Sequence, residues 1–153
     1  IPGQMTMTLS DQQRAEKSAE AMWANDSASQ GMGMQIDTIG PGTATLSMTV
    51  EKRHTNGHAI CHGGFIFTLA DSAFAFACNS YNKSTVAQHC MISFLAPGKL
   101  GDRLTAVAQE VHLAGRSGIY DITVTNQDGD KIAEFRGMSR TISGTLFEEE
   151  SAQ

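Results

Sequence analysis

The residues best suited to chemistry are a glycine pair, Gly63-Gly64, and a carboxylate, Asp71. They lie within H-G-G-F-I-F-T-L-A-D-S-A-F-A-F-A-C-N, residues 62–79. Glycines let a ligand approach the backbone closely. The first N–H groups of a helix lack internal partners and carry partial positive charge, so they suit an anion or a carbonyl oxygen becoming one. On the glycines alone, a tight turn is the simpler reading. Asp71 argues for more, because a lone carboxylate in so apolar a stretch is costly unless it is paired, hydrated or used. Gly63 and Asp71 stand about 12 Å apart along a helix, too far to share one reacting carbon within a single chain. In a two-fold dimer, Asp71 of one subunit can face Gly63 of the other.

These groups need a buried helix. Phe65, Ile66, Phe67, Leu69, Ala70, Ala73, Phe74, Ala75, Phe76, Ala77 and Cys78 leave no face for water, the pattern of a core helix. Thr68, Asp71, Ser72 and Asn79 fall on one polar stripe. Ahead of it, Ser10 with Gln13 makes an approximate capping box for an outer helix running to Asn25. Residues 34–39 and 43–50 form a hairpin about Gly40-Pro41-Gly42, and 51–61 a polar loop containing Asn56-Gly57. Strands are expected at 86–95, 103–113, 118–126 and 131–142, with a hairpin turn at Asp128-Gly129. The order helix, two strands, buried helix, four strands predicts an α+β fold, a curled antiparallel sheet wrapped around one long central helix. One sheet cannot enclose that helix, so a second copy is the expected cover. Residues 10–144 are expected as one domain, with flexible ends at 1–9 and 145–153. Ile1-Pro2-Gly3-Gln4 reads as the remnant of a processed tag.

Composition narrows the function. The 153 residues carry 11 basic and 16 acidic side chains, net charge -5, and are 41% hydrophobic. No basic stripe marks a nucleic-acid partner. The apolar run is short for a membrane span and has Asp71 near its middle. Cys61, Cys78 and Cys90 lack framework spacing and read as reduced thiols of a cytoplasmic protein. His54, His58 and His62 recur every fourth residue, but Asn56-Gly57 interrupts any helix there, so no metal is expected. His62 can orient the loop or meet a ligand. Cys61 is a candidate nucleophile, with a small buried thiol as the more frequent meaning. Phosphate-loop and dinucleotide fingerprints are missing, and no cofactor is expected. Arg116 after Gly115 is a loop-tip cation, a solvated surface Arg by default.

N-G-H-A-I-C-H-G-G-F-I-F-T-L-A-D-S-A-F-A-F-A-C-N resembles the helix-entry segment of hotdog-fold acyl-CoA thioesterases, above all the PaaI subfamily of phenylacetate degradation. The likeness extends to A-M-W-A-N-D, F-L-A-P-G-K-L-G-D-R-L-T-A, G-I-Y-D-I-T-V-T-N-Q and F-R-G-M-S. It implies hydrolysis of an aromatic acyl-CoA by a homodimer assembling into a homotetramer, with two sites at each dimer interface. It further implies that the Gly63 N–H meets the thioester carbonyl, that the partner subunit's Asp71 activates water or attacks, and that Asn56 and His62 place the thioester. Gly64 and Ser72 border the substrate, Asn25 matches an Asn near the N-terminal helix, and Arg116 lies near the CoA arm. His89 is expected opposite the site. Phe65, Phe74 and Met91 are expected to shape the acyl pocket, and Ser72 or water to hold Asp71 ionised. Two other readings stay open: an enoyl-CoA hydratase or dehydratase using His58 with Asp71, and a non-catalytic acyl-CoA-binding protein.

Overall fold

The computed structural model describes residues 8–149. Ser10 accepts from Gln13 N–H while the Gln13 side chain accepts from Ser10 N–H, a closed capping box that starts helix α1, Asp11–Trp23. Next come α2, Ser27–Gly31, and the strands β1, Gln35–Gly40, and β2, Thr43–Thr49. A short 3-10 turn, Lys52–His54, precedes the long helix α3, Gly63–Cys78. Strands β3, Thr85–Phe94, β4, Arg103–Ala114, β5, Ser117–Thr125, and β6, Lys131–Thr141, complete the chain.

The strands form one antiparallel sheet in the order β1-β2-β4-β5-β6-β3. Helix α3 lies across β2, β4 and β5. Leu46, Met48, Leu69, Phe74, Phe76, Leu104, Ile122 and Phe135 close the space between them, all essentially buried. Each such side chain contributes about 1.5–3 kcal/mol of transfer free energy. Gly137 is required by this packing. A Cβ there would come within 2.6 Å of the Phe74 ring.

The sheet, with α1 and α2, covers α3 except along one stripe. Gly64, Phe67, Thr68, Asp71 and Ala75 remain partly or fully exposed along one stripe. Beside them β3 is an edge strand, with Val86, Met91, Phe94 and Leu95 open to solvent. The expected polar stripe is therefore split. Thr68 and Asp71 lie on the uncovered side. Ser72 and Asn79 are buried, and Asn79 ties the helix end to β3 through Thr85 N–H and C=O.

Helix α2 falls where the sequence suggested only a polar connection. Asp26 caps it by accepting from Ser29 N–H, and Ser29 Oγ lies 2.8 Å from Ser72 Oγ, which docks α2 on α3. Residues 146–149, within the tail expected to be flexible, make contacts with the rest of the chain. Asn82 Oδ1 accepts from Leu146 and Phe147 N–H, and Glu149 pairs with Arg14 at 2.8 Å. The remaining ends, 1–7 and 150–153, lie outside the described residues.

Glu110, at a bulge in β4, accepts from Tyr81 at 2.7 Å and from the buried Tyr120 at 3.0 Å. Glu110→Ala strands both hydroxyls. It is expected to destabilise the fold by about 2 kcal/mol or more in urea unfolding, with Glu110→Gln, which keeps an acceptor oxygen for the two hydroxyls, losing clearly less.

Candidate active site

The site is built on the N-terminus of α3. His62 takes extended geometry (φ -61°, ψ 134°) and caps the helix, its Nδ1 accepting from Gly64 N–H at 2.9 Å. Nδ1 being the acceptor leaves the ring proton on Nε2 in the neutral form. Phe65 and Ile66 N–H donate to the His62 carbonyl. Of the four N–H groups that open this helix, only that of Gly63 has no acceptor among the described residues. It stands beside an open cleft of about 560 Å3 lined by Asn56, Ile60, Cys61, Gly63, Ile66 and the segment Phe94–Pro97. A Cβ on Gly63 would sit 3.0 Å from the Phe94 ring, so glycine keeps this entrance open.

The loop before the helix is held by its own polar groups. Asn56 Oδ1 accepts from His58 N–H, and Asn56 N–H donates to Ile60 C=O. That leaves the Asn56 Nδ2 donor without a protein partner among the described residues, at the edge of the cleft. Cys61 N–H donates to Gly98 C=O, which ties the loop to the end of the β3 segment. The buried His54 accepts from Glu51 N–H and lies 3.1 Å from the Met32 carbonyl, its ring tilted against Phe65 with centroids 5.1 Å apart. It is a scaffold residue, and it occupies the Phe65 ring that was expected in the acyl pocket.

Asp71 lies on the uncovered stripe, two turns beyond Gly63. No hydrogen bond reaches its carboxylate among the described residues. Burial pushes its pKa up, with nothing to offset the cost of desolvation. The expected support from Ser72 is not there. Ser29 donates to Asp26 Oδ2 at 2.7 Å, so the Ser72 hydroxyl donates to Ser29 and turns away from Asp71. Thr68 is likewise occupied, donating to Gly64 C=O.

The fold thus brings Asn56, His62, Gly63 and Gly64 together and leaves the others apart. Asn25 sits exposed in the elbow between α1 and α2. Arg116 is exposed at the β4–β5 turn, on a 190 Å3 cavity that also contacts Cys78 at the far end of α3. His89 pairs with Met138 on the outer face of the sheet, pointing away from the helix rather than toward the site. Met91 is also on the outer face, 62% exposed, and Phe74 is sealed in the core. Cys61 is buried, and desolvation pushes its thiol up to about 11, which disfavours a thiolate nucleophile. Sequence reasoning missed α2 with its Asp26–Ser29–Ser72 chain. The sequence carried only a partial signal, Asp26 being a preferred N-cap residue.

An exposed N–H at a helix start stabilises negative charge on an oxygen, and a water-accessible carboxylate with raised pKa can take a proton or attack a carbonyl. Among the described residues, no cluster of His, Cys, Asp and Glu could hold a metal ion, and no helix is long and apolar enough to cross a membrane.

Comparison with known proteins places this arrangement. The model of the Thioesterase superfamily matches residues 58–133. The acyl-coenzyme A thioesterase PaaI of Escherichia coli K12 is 46% identical over 133 residues, covering 87% of this chain and 95% of the relative. The solved structure of the E. coli PaaI protein from the phenylacetic acid degradation operon superposes with a TM-score of 0.87, covering 89% of this chain and 99% of that one. The smu.793 protein of Streptococcus mutans UA159, solved bound to acetyl CoA, is 28% identical with a TM-score of 0.70, covering 73% of this chain and 90% of its own. A curled antiparallel sheet around a central helix opened by His-Gly-Gly, together with these matches, assigns the chain to the PaaI subfamily of hotdog-fold acyl-CoA thioesterases.

Proposed function

We propose that the protein hydrolyses aromatic acyl-CoA of the phenylacetyl or hydroxyphenylacetyl type to the free acid and CoA, at sites shared between two subunits. One observation carries this reading. The unsatisfied Gly63 N–H and the donor-free Asp71 carboxylate stand on one helix, about 12 Å apart. Each is half of a site, and the uncovered stripe between them is the surface a second copy would cover. If two antiparallel α3 helices meet so that Asp71 faces Gly63 of the partner, the two-fold axis passes beside Phe67, midway between them.

The thioester carbonyl oxygen accepts from Gly63 N–H, with Asn56 Nδ2 and the Nε2–H of His62 near enough to place the thioester. The helix terminus stabilises the oxyanion as the carbonyl carbon becomes tetrahedral; such a donor is worth about 10²–10³ in rate. The partner subunit's Asp71 acts by one of two routes. As a general base it takes a proton from water, hydroxide adds to the carbonyl carbon, and the C–S bond breaks with the proton passing to the CoA thiolate. As a nucleophile its oxygen adds to the carbon, CoA leaves, and water cleaves the resulting anhydride.

Helix α3 continues about 10 Å beyond Asp71 to Cys78. Arg116, beside Cys78, therefore lies outward of the reacting thioester, in reach of the CoA phosphates. Asn25, on the elbow docked behind Ser72, borders the acyl side. The exposed β3 edge supports dimerisation. The apolar outer-face residues Val107 and Met138 support pairing of dimers into a tetramer. The free thiols suit the reducing cytoplasm.

A thiol-release assay over phenylacetyl-, acetyl- and palmitoyl-CoA tests this. Fastest release is expected from phenylacetyl-CoA. Water addition to an enoyl-CoA without release of CoA, or tight binding without turnover, would reject it.

A further inference from the structure

Strand β3 presents two kinds of side chain. Met91 points outward, while Cys90 and Ile92 pack toward the core. Cys90 stands opposite Gly137, and it is at Gly137 that the Phe74 ring of α3 takes the space of a side chain. Cys90 therefore faces the turn of α3 that contains Phe74. Asp71 lies one turn before Phe74 on the same helix. Its negative charge reaches the Cys90 thiol and raises its pKa, after burial. Cys90 nevertheless stays partly exposed, because β3 is the sheet edge beside the partly exposed stripe of α3.

Phe67 flanks Asp71 on the other side. It lies four residues earlier, on the same helix face. Its ring meets Phe135 edge-on at 5.3 Å, and Phe135 is opposite Ile92 on the neighbouring strand. Asp71 is thus flanked by the Phe67–Phe135 aromatic pair, with Ile92 opposite Phe135, and by the small Cys90 thiol.

The geometry points to Phe67 and Cys90 as the residues that set acyl selectivity: the acyl group lies against Phe67, and the small size of Cys90 makes room for it beside Asp71. This rests on Asp71 being the reacting carboxylate. Phe67 offers an apolar face and edge for an aryl group. Cys90 is compact and, with its raised pKa, stays a neutral thiol that does not compete for the carbonyl.

The test compares kcat/KM for phenylacetyl-CoA and acetyl-CoA in the full-length Cys90→Leu, Cys90→Ala and Met91→Ala proteins. Cys90→Leu adds bulk on the side of β3 that faces Asp71 and is expected to lower the phenylacetyl-to-acetyl ratio about tenfold or more, the scale of discrimination by a few methylenes. Cys90→Ala is expected to raise the ratio, and Met91→Ala, outward on the same strand, to leave it unchanged. Ratios within about twofold of wild type in folded Cys90 variants would overturn the assignment and leave the thioesterase reading standing. A wild-type protein that releases no thiol from either substrate would overturn both. Where Cys90→Leu does not fold by circular dichroism, the ratio in Cys90→Ala decides alone.

Discussion

Asp71→Asn is expected to retain fold and assembly and to lose thiol release, with kcat reduced by about 10²–10⁴-fold, the contribution of a positioned proton-transfer group. The amide matches the carboxyl in shape but neither takes a proton from water nor adds to a carbonyl carbon. Near-normal turnover in a folded Asp71→Asn or Asp71→Ala protein would sink the mechanism. The pH profile gives a second reading. Burial raises the Asp71 pKa and no donor among the described residues opposes it. Activity should therefore rise on the acid side with a midpoint above the usual carboxylate range, and that limb should vanish in Asp71→Asn. Stability follows with opposite sign. A carboxyl whose pKa is raised by folding stabilises the native state fully below its unfolded pKa and loses that contribution as pH rises through the folded value. At neutral pH, Asp71→Asn should then melt above wild type, the mark of a site that holds its carboxylate at a cost in stability. Equal or lower Tm in the variant would show that a donor from elsewhere compensates the charge in the assembled protein.

Two inactive variants are expected to restore activity when mixed. Gly63→Pro removes the single N–H assigned to the oxyanion at a position where proline suits a helix. His62 already has the extended backbone that proline requires of its predecessor. The exposed Phe94 ring must yield to the new side chain. Gly63→Pro alone should retain its helix by circular dichroism and lose about 10²–10³ in kcat. A hybrid of Gly63→Pro and Asp71→Asn subunits has one site with both lesions and one with neither. Random reassortment after co-refolding should then give about one quarter of wild-type activity. No recovery, with hybrids demonstrated by mass spectrometry, would place both groups of a site in one chain and refute the shared-site arrangement.

The fold was legible because each element announced itself locally. The Ser10–Gln13 box, the alternation in residues 43–50 and the turn at Asp128-Gly129 act over a few residues, and the helix and strands formed there. Helix α2 was obscured because five residues carry too little hydrophobic periodicity to show. Its stability comes from the Asp26 cap and from Ser72, 43 residues away from Ser29. The roles of side chains were less legible than their presence. His62, expected to orient the loop or meet a ligand, caps the helix through Nδ1, which its residue type alone did not announce. Ser72 was a candidate support for Asp71 and bonds Ser29 instead, since residues adjacent on a helix point about 100° apart. Met91 and His89 looked like pocket residues on the strand facing the site, but a bulge between Ala87 and His89 and the strand register set them on the outer face. A one-residue slip exchanges the faces of a strand, and nothing in the local sequence reports it.

The Gly63-to-Asp71 separation was readable from the sequence alone, because helix rise per residue is fixed by backbone geometry. From it followed the conclusion that the two groups cannot meet within one chain. Only the tertiary structure decided which N–H is left free, which side of α3 the sheet leaves uncovered, and which neighbours Asp71 lacks. Those depend on which hydrogen-bond partners are used up once the chain is folded: His62 by Gly64 and Thr68 by Gly64 within the helix start, and Ser72 by Ser29, 43 residues away. The unsatisfied Gly63 donor and the unsupported Asp71 carboxylate are what remain, among the described residues of this helix, after its neighbouring polar groups have found their partners, and that remainder is defined only by the folded chain.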